Sequence, residues 1–135
     1  MQDDRRRKRR KRGSQMIEAV AVGTIIIVIA MALIDLIVMV LANGVNDGAA
    51  KNAARAAASQ SSLAKAVEAA QNSLKENKKG NAGFITELSL KSLDYVPKQT
   101  VSATTKMHVS LPIPVPGIGA SYTFLAQATE PVVAH

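Results

Sequence analysis

The sequence predicts an α+β fold: a long N-terminal transmembrane helix, a second amphipathic helix, and a small C-terminal antiparallel β-hairpin or sheet. Three observations carry this expectation. Residues 19–42 form an apolar run in which Asp35 is the only charge. Leu63, Val67, Ala70 and Leu74 recur at helical spacing, while Lys65, Glu68, Asn72 and Lys75 face elsewhere. Val101, Ala103, Thr105, Met107, Val109 and Leu111 alternate with Ser102, Thr104, Lys106, His108 and Ser110, which is the period of a strand with one face covered.

At ~1.5 Å per residue the apolar run spans about 36 Å as a helix, enough to cross a hydrocarbon core of ~30 Å. Its stretch Ile25-Ile26-Ile27-Val28-Ile29 is β-branched and would suit a buried strand in water. An isolated strand cannot satisfy its backbone in lipid, so the helix is expected to win. A secretory signal peptide shares the basic start and apolar core, but its core is only ~7–15 residues long and a small-residue cleavage site follows it. The longer run here reads as a helix that stays.

The chain carries a formal charge of +7, but the charge is unevenly placed. Eight of the 17 basic residues lie in residues 5–12, and Asp3 and Asp4 are two of the 10 acids, so residues 14–135 hold nine basic against eight acidic residues. The basicity belongs to the start of the chain, where positive residues flanking an apolar helix hold the amino terminus in the cytoplasm and attract anionic headgroups. A nucleic-acid-binding arm is the competing use of such a block. There is no cysteine, hence no disulfide staple or thiol chemistry, a composition compatible with either cytosol or periplasm. The length leaves room for one small domain beyond the membrane segment.

Between the basic block and the apolar run lies Gly13-Ser14-Gln15-Met16-Ile17-Glu18. A carboxylate in hydrocarbon costs roughly 2.5–3.5 kcal/mol near a helix centre and less near the interface, so Glu18 is expected to be paired or functional. The junction resembles the processing site of type IV pilins and pseudopilins. That resemblance implies that a prepilin peptidase cuts after Gly13, releasing residues 1–13 and leaving Ser14 as the new amino terminus. It also implies a partner for Glu18: the α-amine of Ser14 on an adjacent subunit, cationic near neutral pH, which would set the axial register. The competing reading is an interfacial Glu18 snorkelling beside the headgroups.

Asp35 lies 17 residues beyond Glu18, toward the far leaflet, where it either reaches the outer interface or is buried against another helix. A basic leader, a glycine, Glu18, an apolar helix, a second acid near its outer end and the alanine-rich segment Asn52-Ala53-Ala54-Arg55-Ala56-Ala57-Ala58 together resemble the TadE-like pseudopilins of tight-adherence (Flp) type IV pilus systems. Where that family often has bulky aromatics and a Gly-Arg pair, this chain reads Leu36-Ile37-Val38-Met39, which leaves the role of Asp35 open. The resemblance implies a pilin-like fold and a minor pseudopilin that takes part in assembling or priming a tight-adherence pilus. The partners it implies are the prepilin peptidase, other pseudopilins, the major pilin, the pilus assembly platform and membrane lipid, with no nucleic acid. It places the chain in the bacterial inner membrane as a single-pass protein, amino terminus cytoplasmic and C-terminal domain periplasmic. The alternative is an unprocessed single-pass membrane-anchored envelope protein that binds a partner through its outer domain.

The expected organisation is a leader at 1–13, a transmembrane helix at 14–42 and an extracytoplasmic domain at 43–135. Residues 43–48, Asn-Gly-Val-Asn-Asp-Gly, concentrate turn formers and predict a kink or short break. Residues 49–76 are expected to form the second helix and 77–83 a loop. Residues 84–96 are ambiguous, since Phe84, Thr86, Leu88 and Leu90 alternate while Leu90, Leu93 and Val96 suit a helix stripe; they are read as a strand. Pro112, Pro114 and Pro116, with Gly117 and Gly119, exclude a central strand and predict a stiff connecting loop, with a polyproline ligand as the competing use. Ala120, Tyr122, Phe124, Ala126 and Ala128 then resume the alternation. The two strands are expected to lay their apolar faces on the second helix.

Catalytic chemistry is missing from this pattern. His108 and His135 are the only histidines, and without Cys or clustered acids a zinc site is not expected. No Gly-rich phosphate fingerprint or nucleophile elbow occurs. Neither enzymatic activity nor a cofactor is expected.

Overall fold

The computed structural model describes the backbone of residues 2–80, 83–115 and 119–133, and the side chains of residues 15–80, 83–113 and 119–133. Five elements follow in order: α1 (Gln2–Ala58), α2 (Leu63–Gly80), β1 (Ile85–Tyr95), β2 (Thr100–Val115) and β3 (Gly119–Pro131). The α+β expectation holds, with the β part a three-stranded antiparallel sheet in the order β1-β2-β3. The chain divides into two compact units, Met1–Ile34 and Asp35–His135. The described residues of the first are all helical. The second contains the rest of α1, α2 and the sheet.

The break expected at residues 43–48 is absent, because α1 remains helical through to Ala58. Each glycine in a helix interior costs about 1 kcal/mol against alanine. Packing outweighs that local penalty: Ala42, Asn46, Ala49, Ala50, Ala53, Ala54 and Ala57 are all fully buried, so the same stretch forms a continuous face of the second unit. The chain turns instead at Ser59-Gln60-Ser61-Ser62. There the Gln60 amide bonds Ala57 O at 3.0 Å and the Ser59 hydroxyl bonds Ala56 O at 2.8 Å, satisfying carbonyls at the helix end. Ser62, a favoured residue at a helix start, accepts from the Ala66 amide at 2.9 Å.

The second helix is therefore α2, not residues 49–76. Its buried stripe is Ala66, Ala70 and Leu74, each four residues apart. Val67 is half-buried and Leu63 is exposed, so of the sequence-predicted stripe only Ala70 and Leu74 lie in the core.

β2 behaves as its alternation predicts. Val101, Ala103, Thr105, Met107, Val109 and Leu111 are buried, and their neighbours from Ser102 to Ser110 are not. β1 is a strand, and its mixed pattern has a cause: register shifts between Ile85 and Glu87 and between Leu90 and Ser92. Each shift inserts an extra residue, so the inward positions run Ile85, Leu88, Leu90, Leu93 and Tyr95 instead of strictly every second residue. In register, Leu88 faces Met107, Leu93 faces Ala103 and Tyr95 faces Val101. On the other side Met107 faces Phe124 and Thr105 faces Ala126.

The expected proline loop is corrected in part, since β2 continues through Pro112 and Pro114 to Val115. The β1 ladder ends at Ile85 and Val109, and the β3 ladder is irregular between Ser110 and Val115. Past Ser110 the prolines thus remove few ladder bonds. Pro116 and Gly117 lie outside the described residues. β1 and β2 are joined by a tight turn in which the Gln99 amide bonds Val96 O at 3.1 Å, with Pro97 ahead of Lys98 in the left-handed region at φ 59°.

The core lies between the sheet and the two helices. Alanines of α1 and α2 share one buried cluster with Val101, Ala103, Met107 and Val109 of the central strand. Polar ties close the edges: the Tyr95 hydroxyl donates to Gln60 O at 2.7 Å, and Arg55 meets Glu130 at 3.1 Å.

Candidate functional site

The sequence singles out four residues on α1. Gly13 and Ser14 lie within its helical backbone, and their side-chain surroundings fall outside the described residues. Glu18 is exposed. It borders a shallow open groove formed with Gln15, Ala19, Val22, Gly23 and Ile26. The groove exists because Ala19 and Gly23, one turn apart, present almost no side chain beside Glu18, and a Cβ added at Gly23 would meet nothing within 4 Å. Around it Met16, Ile17, Val20, Ile25, Ile26 and Ile27 are all more than half exposed.

Among the described residues no cation pairs with Glu18. A carboxylate standing alone in an exposed apolar collar is poorly placed in any single environment. Water suits Glu18 and lipid suits its neighbours, so the segment fits a membrane margin. α1 is long and apolar enough to cross a membrane: its best 18-residue window has mean hydropathy 3.2 and is only 11% buried within the protein. A core helix of similar composition would be mostly covered.

Asp35 differs from Glu18 in its burial. Its side chain is 2% exposed, and neither carboxylate oxygen has a hydrogen-bond partner. It begins the buried face of α1, which continues through Ala42, Asn46, Ala49, Ala53 and Ala57 at spacings of seven, four, three, four and four. Asp35 is thus buried within the protein and does not reach its surface.

Sequence reasoning missed Asn46. It was grouped with turn formers, yet it is fully buried, and its Oδ1 accepts a hydrogen bond from the Thr105 hydroxyl at 2.9 Å, while its Nδ2 has no partner. The signal was present as helical spacing from Asp35 through Asn46 to Ala57. It was obscured by the glycines at 44 and 48.

Among the described residues no group of three or more His, Asp or Glu side chains could hold a metal ion. His108 lies on the outer sheet face, with Nδ1 2.8 Å from the Thr123 hydroxyl and Nε2 3.9 Å from Glu87. His135 lies outside the described residues. Comparison with protein-family models, curated proteins and solved structures returns no match.

Proposed function

We propose that the protein is a TadE-like minor pseudopilin, inserted with its amino terminus in the cytoplasm, clipped after Gly13, and taking part in the assembly or priming of a tight-adherence pilus. The observation that carries this reading is Glu18: an exposed carboxylate five residues past Gly13, at the head of an exposed apolar helix and with no cation partner among the described residues. A group so placed is suited to meet a cation from outside the chain, and the amine created by cutting before Ser14 is such a cation. The apolar collar supplies the lateral packing surface, because small residues such as Ala19 and Gly23 let a neighbouring helix approach closely. The second unit is the part presented beyond the membrane, and its work is structural, with no catalytic role.

The test is the intact mass and amino-terminal sequence of the protein extracted from membranes, in cells with and without the prepilin peptidase. A start at Ser14 that depends on the peptidase supports pseudopilin processing. A start at Met1 in both strains removes this reading and leaves a single-pass envelope protein that acts through its outer domain.

A further inference from the structure

One end of the second unit presents no charged side chain at its surface, since its one acid, Asp35, is buried, and its neighbours indicate what it rests against. Contacts between α1 and the sheet fix the levels along this unit. The Val133 amide bonds Ala58 O at 3.1 Å, Arg55 meets Glu130 at 3.1 Å and Thr105 meets Asn46 at 2.9 Å. Passing backward along α1 therefore follows β2 forward. From Asn46 back to Asp35 the helix covers about 16 Å at ~1.5 Å per residue, the length of roughly five strand residues at ~3.3 Å each. Asp35 thus stands level with Ser110 and Leu111, and with Ser121, the β3 partner of Ser110.

At this level α1 exposes Leu36, Ile37, Val40 and Leu41, each more than half accessible. The hairpin beside it exposes Pro112, Gly119 and Ala120, with Ile113 and Tyr122 half-covered. From Val109 to Thr129 the sequence holds no Asp, Glu, Lys, Arg or His. Lysines begin one step further along the unit. The Ser110 amide bonds Phe84 O at 3.1 Å, and two residues on, Thr86 O accepts Lys78 Nζ at 3.0 Å. Lys78 and Lys79 close the last turn of α2. They line an open groove with Lys75, Asn72 and Glu76, where Glu76 pairs with Lys79 at 2.8 Å.

We propose that this end of the second unit is a membrane contact: the β2–β3 hairpin end, at Leu111–Ile113 and Gly119–Tyr122, seats at the acyl–headgroup boundary of the leaflet from which the unit emerges. Lys75 and Lys78 then lie at the depth of the lipid phosphates. The occupant is a lipid surface because the apolar run of the sequence continues into this unit as the exposed Leu36, Ile37, Val40 and Leu41, and an uncharged rim followed by lysines is the order in which a bilayer presents its layers. The arrangement also accounts for the burial of Asp35. A carboxylate facing hydrocarbon costs a few kcal/mol, and the hairpin end screens it from lipid. This inference rests on α1 crossing a membrane and not on pilus assembly.

The chain has no tryptophan, so single-tryptophan variants of the full chain report without background. Pro112→Trp, Val28→Trp and Ser92→Trp are reconstituted in vesicles of phosphatidylethanolamine and phosphatidylglycerol containing lipids spin-labelled at shallow or deep positions. The expected result is blue-shifted Pro112→Trp emission quenched by shallow labels, Val28→Trp quenched by deep labels, and Ser92→Trp quenched only by aqueous acrylamide. Quenched Val28→Trp with acrylamide-accessible Pro112→Trp overturns the hairpin contact and leaves the membrane helix standing. Pro112→Trp shielded from both lipid and acrylamide also overturns it, in favour of a second protein copy. If Val28→Trp escapes deep labels, the membrane helix and the contact fall together. Should Pro112→Trp alter the far-ultraviolet circular dichroism, Ala120→Trp serves as the probe.

Discussion

The Thr105 hydroxyl donates to Asn46 Oδ1 at 2.9 Å with both side chains fully buried, forming a polar clasp between α1 and the central strand. The same hydroxyl lies 3.4 Å from Ala126 O, so it stands between helix and edge strand as well. A buried pair of this kind costs little while it is made and a good deal when half of it is removed. It also selects one rotation of α1 about its axis, since turning Asn46 away leaves the hydroxyl without its amide partner.

Thr105→Val keeps the side-chain shape and removes the donor. Asn46 would then have neither its oxygen nor its nitrogen paired, and the expected loss of stability is about 1–3 kcal/mol. Thermal unfolding of the detergent-solubilised chain measures this. Adding Asn46→Ala should cost less than the sum of the single changes, because the two residues share one interaction. Additive losses would show that the clasp contributes nothing.

Gly44 and Gly48 occupy the helix where a break was expected, and a Cβ at either meets nothing within 4 Å. With helical φ and open space, alanine relieves the entropic cost of glycine. Gly48→Ala is expected to raise stability by about 0.5–1 kcal/mol, read as a higher melting temperature. A fall would mean that the helix bends or opens at this position.

How much of this was legible in the sequence follows from which effects are local. The alternation of β2 was readable because one face is covered along its whole length, so period and burial agree from Val101 to Leu111. The apolar run was readable for a different reason, its composition alone, since it is exposed nearly all round and needs no period to be recognised. β1 was only half readable, since its two register shifts break the period. The continuity of α1 was not readable from residues 43–48 alone, where local propensity favours a turn. What overrides it is packing against a sheet far along the chain. Glu18 and Asp35 were both visible as charges in an apolar run, but sequence position could not distinguish one that is exposed from one that is sealed in.

Asp35 offers a direct test of that sealing. Its carboxylate is buried with both oxygens unpartnered, and an ionised carboxylate is more costly to bury than a neutral amide of the same shape. Asp35→Asn is expected to raise the melting temperature of the solubilised chain, by the equivalent of about 1–3 kcal/mol. A clear drop would show that the carboxylate has a stabilising partner in the folded protein.

Glu18 makes the opposite prediction, because it is exposed and no cation pairs with it among the described residues. Removing a charge from the margin of an apolar helix should not hinder insertion, so Glu18→Ala is expected to reach the membrane at the level of the unaltered protein and to unfold at the same temperature. Its defect should appear only when subunits meet. A charge-assisted hydrogen bond is worth about 1.5–3 kcal/mol, and each ~1.4 kcal/mol is a factor of ten in an equilibrium, so incorporation into a pilus should fall roughly tenfold or more. Glu18→Asp, which keeps the charge on a shorter arm, should recover part of it, and Glu18→Gln less. Quantifying the protein in sheared pilus fractions against membrane fractions separates these outcomes. Normal incorporation of Glu18→Ala would remove the register role and leave Glu18 as a headgroup-facing residue.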